Sequence, residues 1–366
     1  MRIVYHSFEG RYSDNPRAVH EALLARGDDV EHVWLSSPAH AHGFPEGTAT
    51  VPYGGQECVD LLESADVVVS NTHIDLEWEK RPGTTYLQTW HGTPLKTIHH
   101  DVLFAPEGRL ARLDRDVARW DALLSPNAAS TPHLRHAFRW TGRVEETGYP
   151  RNDVLSAPDR EERRARVRRQ LGVAEDATAV LYTPTWRDDD LFGDGPDFAL
   201  RLDLERFAER LGGSHVLLLR LHYMVSGALG TVEVPGVLDV SFHPDIADLY
   251  LAADVMVTDY SSTQFDFAVT GRPIVYYPYD LDHYRDDLRG FYFDFPALCP
   301  GPVAAGTDEV LDAVADVPAL AREHAEDLAA FRRTFCHLED GRATERVLDL
   351  FLPRRTGGGQ PTRRSA

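Results

Sequence analysis

Four strand-like segments of this chain end in side chains suited to a charged phosphate ester. Thr84 to Trp90 leads into His91-Gly92-Thr93-Pro94-Leu95-Lys96, and Val180 to Thr185 leads into Trp186-Arg187. His215 to Leu221 carries Arg220 and delivers His222, while Asp254 to Tyr260 delivers Ser261 and Ser262. In open α/β sheets ligands sit beyond the carboxyl ends of the strands, so function should surface at these positions. His91 is the best candidate for a proton acceptor, because an imidazole titrates near neutrality and can take a proton from an attacking alcohol. A histidine whose hydrogen bonds are satisfied within a turn is the bland alternative. Lys96 or Arg187 taken singly reads more readily as a solvated charge.

Arg220 and His222 lie two apart on one strand, so they point to the same face and can grip a pyrophosphate together or serve a structural ion pair. Ser261 and Ser262 stand between a strand and the helical spacing of Gln264 to Val269. Their hydroxyls and the free N–H groups of a helix start favour an anion, although an ordinary capped helix has the same sequence. Asp266, one turn further, can bond ribose hydroxyls or be a solvated helical carboxylate. Ser241, Phe242 and His243 precede the helix from Asp245, where backbone groups can read a nucleobase, and a plain turn looks the same. Asp188-Asp189-Asp190 reads as a solvated acidic loop before it reads as a cation site. His99 and His100, followed by Asp101, show no spaced partner, and no metal is expected. Neither GxGxxG nor GxxxxGKS/T occurs, which removes support for dinucleotide oxidoreductases and P-loop enzymes; no cofactor is expected.

The elements that must position these groups alternate. Met1 to Ser7, Asp29 to Leu35, Asp66 to Ser70, Thr84 to Trp90, Asp121 to Ser125 and Val144 to Thr147 read as strands, with helices over Asn15 to Arg26 and Gln56 to Glu63. Gly148-Tyr149-Pro150-Arg151-Asn152 punctuates the chain, and a charged helix, Asp159 to Leu171, follows. The pattern then restarts with Val180 to Thr185, His215 to Leu221, Asp254 to Tyr260 and Pro273 to Tyr279 as strands and Asp245 to Ala252 as a helix. Thr307 to Ala315, Pro318 to Phe335 and part of Gly341 to Phe351 read as helices. Alternation of this kind implies parallel sheets covered on both faces. The expected architecture is α/β, with two doubly wound halves facing across a cleft. Residues 1–150 form the first half, 151–335 the nucleotide-binding second half and 336–352 a C-terminal helix, with 353–366 a disordered tail.

Composition narrows the function. The chain has 366 residues and is 43% hydrophobic, enough to bury a two-domain core. A formal charge of -20 argues against a nucleic-acid binder, since phosphate backbones are held by clustered Lys and Arg. Cys58, Cys299 and Cys336 form no CxxC pair, which fits a reducing compartment. The start lacks an export signal and no window reaches the roughly 20 apolar residues of a membrane span, so the cytoplasm is the expected location. The arginines of PRRTGGGQPTRRSA allow peripheral contact with anionic lipid on the inner face of the membrane, and a solvated terminus is the plainer reading.

Several motifs in order carry a family resemblance: FEGRYSDNPRAVHEAL, TWHGTPLKTIHHD, TGYPRND, LYTPTWRDD, LRLHY, DIADLYLAADVMVTDYSSTQFDFA, RPIVYYPYDLDHY and RGFYFDF. From about residue 8 to 350 the chain resembles the CDP-glycerol glycerophosphotransferases, the teichoic acid polymerase family. The resemblance implies a GT-B type fold of two Rossmann-like halves. It also implies transfer of an alditol phosphate from a CDP-alditol to a hydroxyl of a polyol-phosphate or lipid-linked acceptor, with release of CMP. By motif, His91 would be the base, and His222 with Arg220 would hold the donor phosphates. Ser261 and Ser262 would bind the pyrophosphate, Asp266 the nucleotide side, and Arg151 would reach the donor from the domain junction. Lys96 and His243 fall in the same donor-binding set. A GT-B glycosyltransferase or sugar-nucleotide epimerase is the alternative.

Overall fold

A computed structural model describes residues 1–185, 200–221 and 232–353. His222, Trp186, Arg187, Asp188-Asp189-Asp190 and the arginine tail lie outside the described residues.

Two parallel sheets organise the chain. The first runs β3-β2-β1-β4-β5-β6-β7, with β1 Arg2–His6, β2 Glu31–Ser36, β3 Thr50–Pro52, β4 Val67–Ser70, β5 Thr85–Gln88, β6 Ala122–Ser125 and β7 Arg143–Glu146. The second runs β10-β9-β8-β11-β12, with β8 Thr178–Thr183, β9 His215–Leu219, β10 Val237–Asp239, β11 Val255–Thr258 and β12 Ile274–Tyr276. Short apolar runs such as Val67-Val68-Val69 are buried on both faces, because helices cover each side of a parallel sheet. Each sheet accordingly separates two cores. In the first, Val4, Val68, Tyr86 and Leu123 face one layer while Ile3, Tyr5, Val69 and Leu124 face the other.

Strand order reverses between β1 and β4 in the first sheet and between β8 and β11 in the second. Connections leave such a junction to opposite sides, which opens a crevice at the carboxyl ends of the strands. Register keeps those ends level: His6 pairs with Ser70, Ser70 with Gln88, and Thr183 with Thr258. The loops after β1, β4 and β5 therefore emerge together, as do those after β8 and β11.

Some elements differ from the sequence reading. The helix expected over Pro318 to Phe335 is two helices, Val317–Glu323 and Ala325–Phe335, with a turn at His324. The turn serves two cores, since Leu320 packs in one layer of the second unit and Leu328, Phe331 and Phe335 in the other. The edge strands β3 and β10 are three residues each, too short for a periodic signal. The helix Arg109–Val117, with Leu110, Leu113 and Val117 at helical spacing, is absent from the sequence reading. The last helix, Ala343–Phe351, returns to the first sheet, where Val347 and Leu348 pack with Ile3, Val19 and Leu23. Gly148, at the expected boundary, has φ +72°, and a β-carbon there would lie 2.7 Å from the Leu338 carbonyl oxygen, so the crossing strand and the returning chain need glycine between them.

Among the described residues no helix is long and apolar enough to cross a membrane.

Candidate active site

The loop after β5 reaches the second unit. Gly92 faces Ser262 so closely that a β-carbon on Gly92 would sit 3.1 Å from Ser262 Oγ and 3.4 Å from its Cβ. Ser261 and Ser262 follow β11 and begin the helix Thr263–Ala268, and the Thr263 N–H donates to Ser261 Oγ over 3.3 Å. Both serines are partly exposed. Beyond Gly92 the same loop pairs with the segment after β12. Thr97 N–H donates to the Gly290 carbonyl over 2.9 Å, Tyr292 N–H donates to the Leu95 carbonyl over 2.9 Å, and Lys96 bridges Phe291. Lys96 Nζ lies 5.8 Å from the centre of the Tyr284 ring. The two units are thus clamped on one side of the crevice by backbone bonds.

His91 sits where the loop turns. The Asn71 carbonyl, at the end of β4, lies 2.5 Å from His91 Nδ1. A carbonyl only accepts, so Nδ1 carries the proton and Nε2 is the basic nitrogen. The ring stacks on Trp90 at 4.1 Å and tilts against Phe8 at 5.2 Å, which fixes its plane. Burial is the largest influence on this imidazole and lowers its pKa from 6.5; the Asn71 bond and Asp14 act in the opposite direction. The neutral, proton-accepting form is therefore the resting form at neutral pH.

Arg151 and Asp266 lie beneath this loop. The Arg151 guanidinium donates to Asp14 Oδ2 at 2.6 Å, to the His91 carbonyl at 2.6 Å and to Asp266 Oδ2 at 2.8 Å. Asn152 Nδ2 donates to Asp266 Oδ1 at 2.9 Å, so both Asp266 oxygens have protein donors. Side-chain exposure is 13% for Arg151 and 10% for each carboxylate, so the network is nearly dry. Burial opposes the Arg151 charge, but Asp14 and Asp266 outweigh it and raise its pKa. Asn15 adds two more ties: its Nδ2 donates to the Trp90 carbonyl over 3.0 Å and its Oδ1 accepts from Arg151 N–H over 3.1 Å. The Tyr149 hydroxyl donates to the Gly92 carbonyl over 3.2 Å.

Arg220, just past β9, donates to the carbonyls of Val240 and His243 over 2.8 and 2.7 Å. No carboxylate pairs with it among the described residues. Burial is the main cause lowering its pKa; Arg11 of the first unit adds to it, while Tyr250, Asp245 and Asp239 act in the opposite direction. A desolvated guanidinium held by carbonyls and near a second cation suits an anion. His243 Nδ1 is 3.0 Å from the Asp245 carbonyl. Asp245 joins Arg17 of the first unit at 3.1 Å and Arg163 of the second at 2.9 Å.

The structure thus links His91, Arg151 and Asp266 through one network, sets Ser262 against Gly92, and joins Arg220 to His243. Sequence reasoning missed Asn71, Asp14, Asn15, Asn152 and Phe8. Asn71 contributes its backbone carbonyl, which no side-chain pattern reveals. For Phe8, Asp14 and Trp90 the signal is conformational: φ is +45°, +62° and +52°. Non-glycine residues in that region cost of order 1–3 kcal/mol each and persist where surrounding structure dictates them.

The family model described as CDP-Glycerol:Poly(glycerophosphate) glycerophosphotransferase matches residues 1–352. The chain is 36% identical over 362 residues to the teichoic acid poly(glycerol phosphate) polymerase of Bacillus spizizenii, covering 96% of this chain and 91% of that protein. It is 37% identical to the teichoic acid glycerol-phosphate transferase of Staphylococcus aureus, covering 94% and 91%. Among solved structures, the wall teichoic acid polymerase TagF superposes with a TM-score of 0.85 at 34% identity, over 95% of this chain and 87% of that one. A UDP-GlcNAc 2-epimerase from Neisseria meningitidis superposes at 0.56 with 12% identity over 97% and 100%, which shows a shared GT-B type fold and nothing of chemistry. With two Rossmann-like units facing across a crevice and a family model matched through residue 352, the chain belongs to the CDP-glycerol:poly(glycerophosphate) glycerophosphotransferase family.

Proposed function

We propose that the protein transfers glycerol phosphate from CDP-glycerol to a hydroxyl of a teichoic-acid-like polymer and releases CMP. The observation that carries this reading is His91: an imidazole fixed by the Asn71 carbonyl, basic at Nε2, in the loop where Gly92 meets Ser262 of the other unit. The acceptor hydroxyl oxygen attacks the β-phosphorus of CDP-glycerol and His91 Nε2 takes its proton. The bond from that phosphorus to the bridging oxygen breaks, and its electron pair leaves with CMP. Phosphoryl transfer of this type needs position and electrostatics more than covalent participation by the protein. In this reading Arg220 and the Ser261-Ser262 turn stabilise charge on the leaving nucleotide, with His243 beside Arg220 on the nucleotide side and Lys96 at the clamp. His222 joins the donor-binding set by motif.

Arg151 and Asp266 take a different part from the one their motifs imply. Their polar atoms are engaged by Asp14, Asn152 and the His91 carbonyl, which supports assigning them to hold the His91 loop in place. In this reading the unit over residues 1–150 faces the acceptor and that over 151–335 the nucleotide. The cytoplasm is the proposed place of work, with a lipid-linked acceptor met at the membrane surface. Support for peripheral contact comes from Leu103 and Phe104, 56% and 81% exposed, followed by the exposed Arg109 and Arg112.

The test is donor choice. With a soluble glycerol-phosphate acceptor, CDP-glycerol should yield CMP and a product longer by one phosphodiester, whereas UDP-GlcNAc should release no nucleotide. Nucleotide release from UDP-GlcNAc, with none from CDP-glycerol or CDP-ribitol, would replace this function with nucleotide-sugar chemistry.

A further inference from the structure

The loop that begins at His91 ends in His99 and His100, and the fold brings these two imidazoles to a carboxylate fourteen or more residues away in sequence. Asp114 lies on the helix Arg109–Val117. Its Oδ1 is 2.8 Å from His100 Nε2 and 3.8 Å from His99 Nε2, and the ligand atoms of all three residues lie within 4.8 Å of one another. We infer that His99, His100 and Asp114 bind a divalent first-row transition metal, Zn2+ foremost.

Two independent observations carry this. First, the His99 side chain is 2% exposed and its Nε2, 3.8 Å from Asp114 Oδ1, makes no hydrogen bond, while the Ala137 backbone serves the ring. Buried imidazole nitrogens are normally paired with protein, water or metal, so a buried Nε2 facing a carboxylate and a second imidazole without a hydrogen bond calls for an occupant. His99 also holds φ +51°, a conformation that a residue without glycine's freedom adopts only when its surroundings impose it. Second, the spacing fits. Four-coordinate Zn2+ with bonds of about 2.0–2.1 Å separates its ligand atoms by roughly 3.3 Å. The two distances to the carboxylate fall on either side of that value, and the three ligand atoms, within 4.8 Å of one another, reach it by closing together.

The donor chemistry agrees. Imidazole suits zinc, copper and nickel better than magnesium or calcium, and the carboxylate supplies charge. Asp114 is 43% exposed, which gives a metal a path from solvent and leaves room for a water as fourth ligand. His73 backs the site, 5.3 Å from the His99 ring, with its own Nδ1 3.4 Å from Asp116 Oδ2. His73 also meets Trp90 at 6.0 Å, and Trp90 stacks on His91. A metal here would tie the far end of the His91 loop to a helix of the first unit, a structural role outside the reacting atoms. The sequence showed only the adjacent histidines; Asp114 becomes their spaced partner through the fold.

The experiment uses the tag-free full chain, expressed with zinc supplied and dialysed against metal-free buffer. Plasma mass spectrometry should find about one zinc per chain, and Co2+ exchanged into the protein should give the visible absorption of a four-coordinate site. Asp114→Asn and His100→Ala, both at the solvent side of the cluster, should each weaken Zn2+ binding by more than about tenfold while circular dichroism stays unchanged. His99→Ala should do the same, and the other two variants keep the test intact if it fails to fold. Absence of saturable Zn2+ binding by the wild-type chain overturns the inference, and so does binding that Asp114→Asn and His100→Ala leave unaltered.

Discussion

Replacing Gly92 by alanine places a β-carbon 3.1 Å from Ser262 Oγ and 3.4 Å from Ser262 Cβ. The first distance is too short for a relaxed contact and the second is ordinary, so only the hydroxyl must give way, by a few tenths of an ångström. The backbone at Gly92 is not left-handed, and alanine fits it without strain. The fold should therefore lose less than about 1 kcal/mol. Catalysis is more sensitive, because a misplacement of about 1 Å can cost roughly a hundredfold, and a third to a half of that should cost about fivefold to tenfold in kcat/KM. Tenfold corresponds to about 1.4 kcal/mol of transition-state stabilisation. Ser262→Ala removes the hydroxyl and should lower the rate on its own account. In that background Gly92→Ala has only the ordinary carbon contact to make and should add almost nothing. The assay is CMP release from CDP-glycerol by the wild type, both single variants and the double variant. The expected result is a coupling of about 1 kcal/mol between the two sites. Additive effects would refute the reasoning, since they would mean that Gly92 and Ser262 act on the donor independently.

Three further predictions rest on the network under the His91 loop and on the imidazole itself. Arg151→Met keeps the volume but leaves Asp14 and Asp266 as uncompensated buried charges, which should cost about 3–5 kcal/mol of stability in urea unfolding; a loss below about 1 kcal/mol would show the network to be solvated. His91 acts as a base only when neutral, and its pKa is lowered from 6.5, so activity should persist as pH falls past 6.5 and be lost only further into acid. An acid limb of kcat/KM above 6.5 would contradict that direction. Asn15→Ala removes the bonds to the Trp90 carbonyl and the Arg151 N–H, and should lower kcat more than it raises KM for CDP-glycerol, measured by steady-state kinetics.

The alternation of short apolar strands with helices made both sheets legible, because strands buried on two faces need no finer pattern to be recognised. The rule that ligands gather beyond the carboxyl ends of the strands directed attention to the residues after β5, β9 and β11. Contacts across the units were not legible. Arg151 bonds Asp14 and Asp266, and those two residues are separated from it by 137 and 115 positions. Asn71 escaped because a backbone carbonyl has no residue signature. His99 and His100 looked unpartnered because Asp114 lies on helix Arg109–Val117, an element absent from the sequence reading, and only the fold brings it to them.

The most direct measurement is a single turnover of CDP-glycerol by His91→Ala, read alongside equilibrium binding of the same donor. If Nε2 takes the acceptor's proton, CMP release should fall by about a hundredfold to ten-thousandfold, while the dissociation constant for CDP-glycerol stays near that of the wild type. Release at close to the wild-type rate would contradict the account, because it would leave the proton of the attacking hydroxyl with some other group.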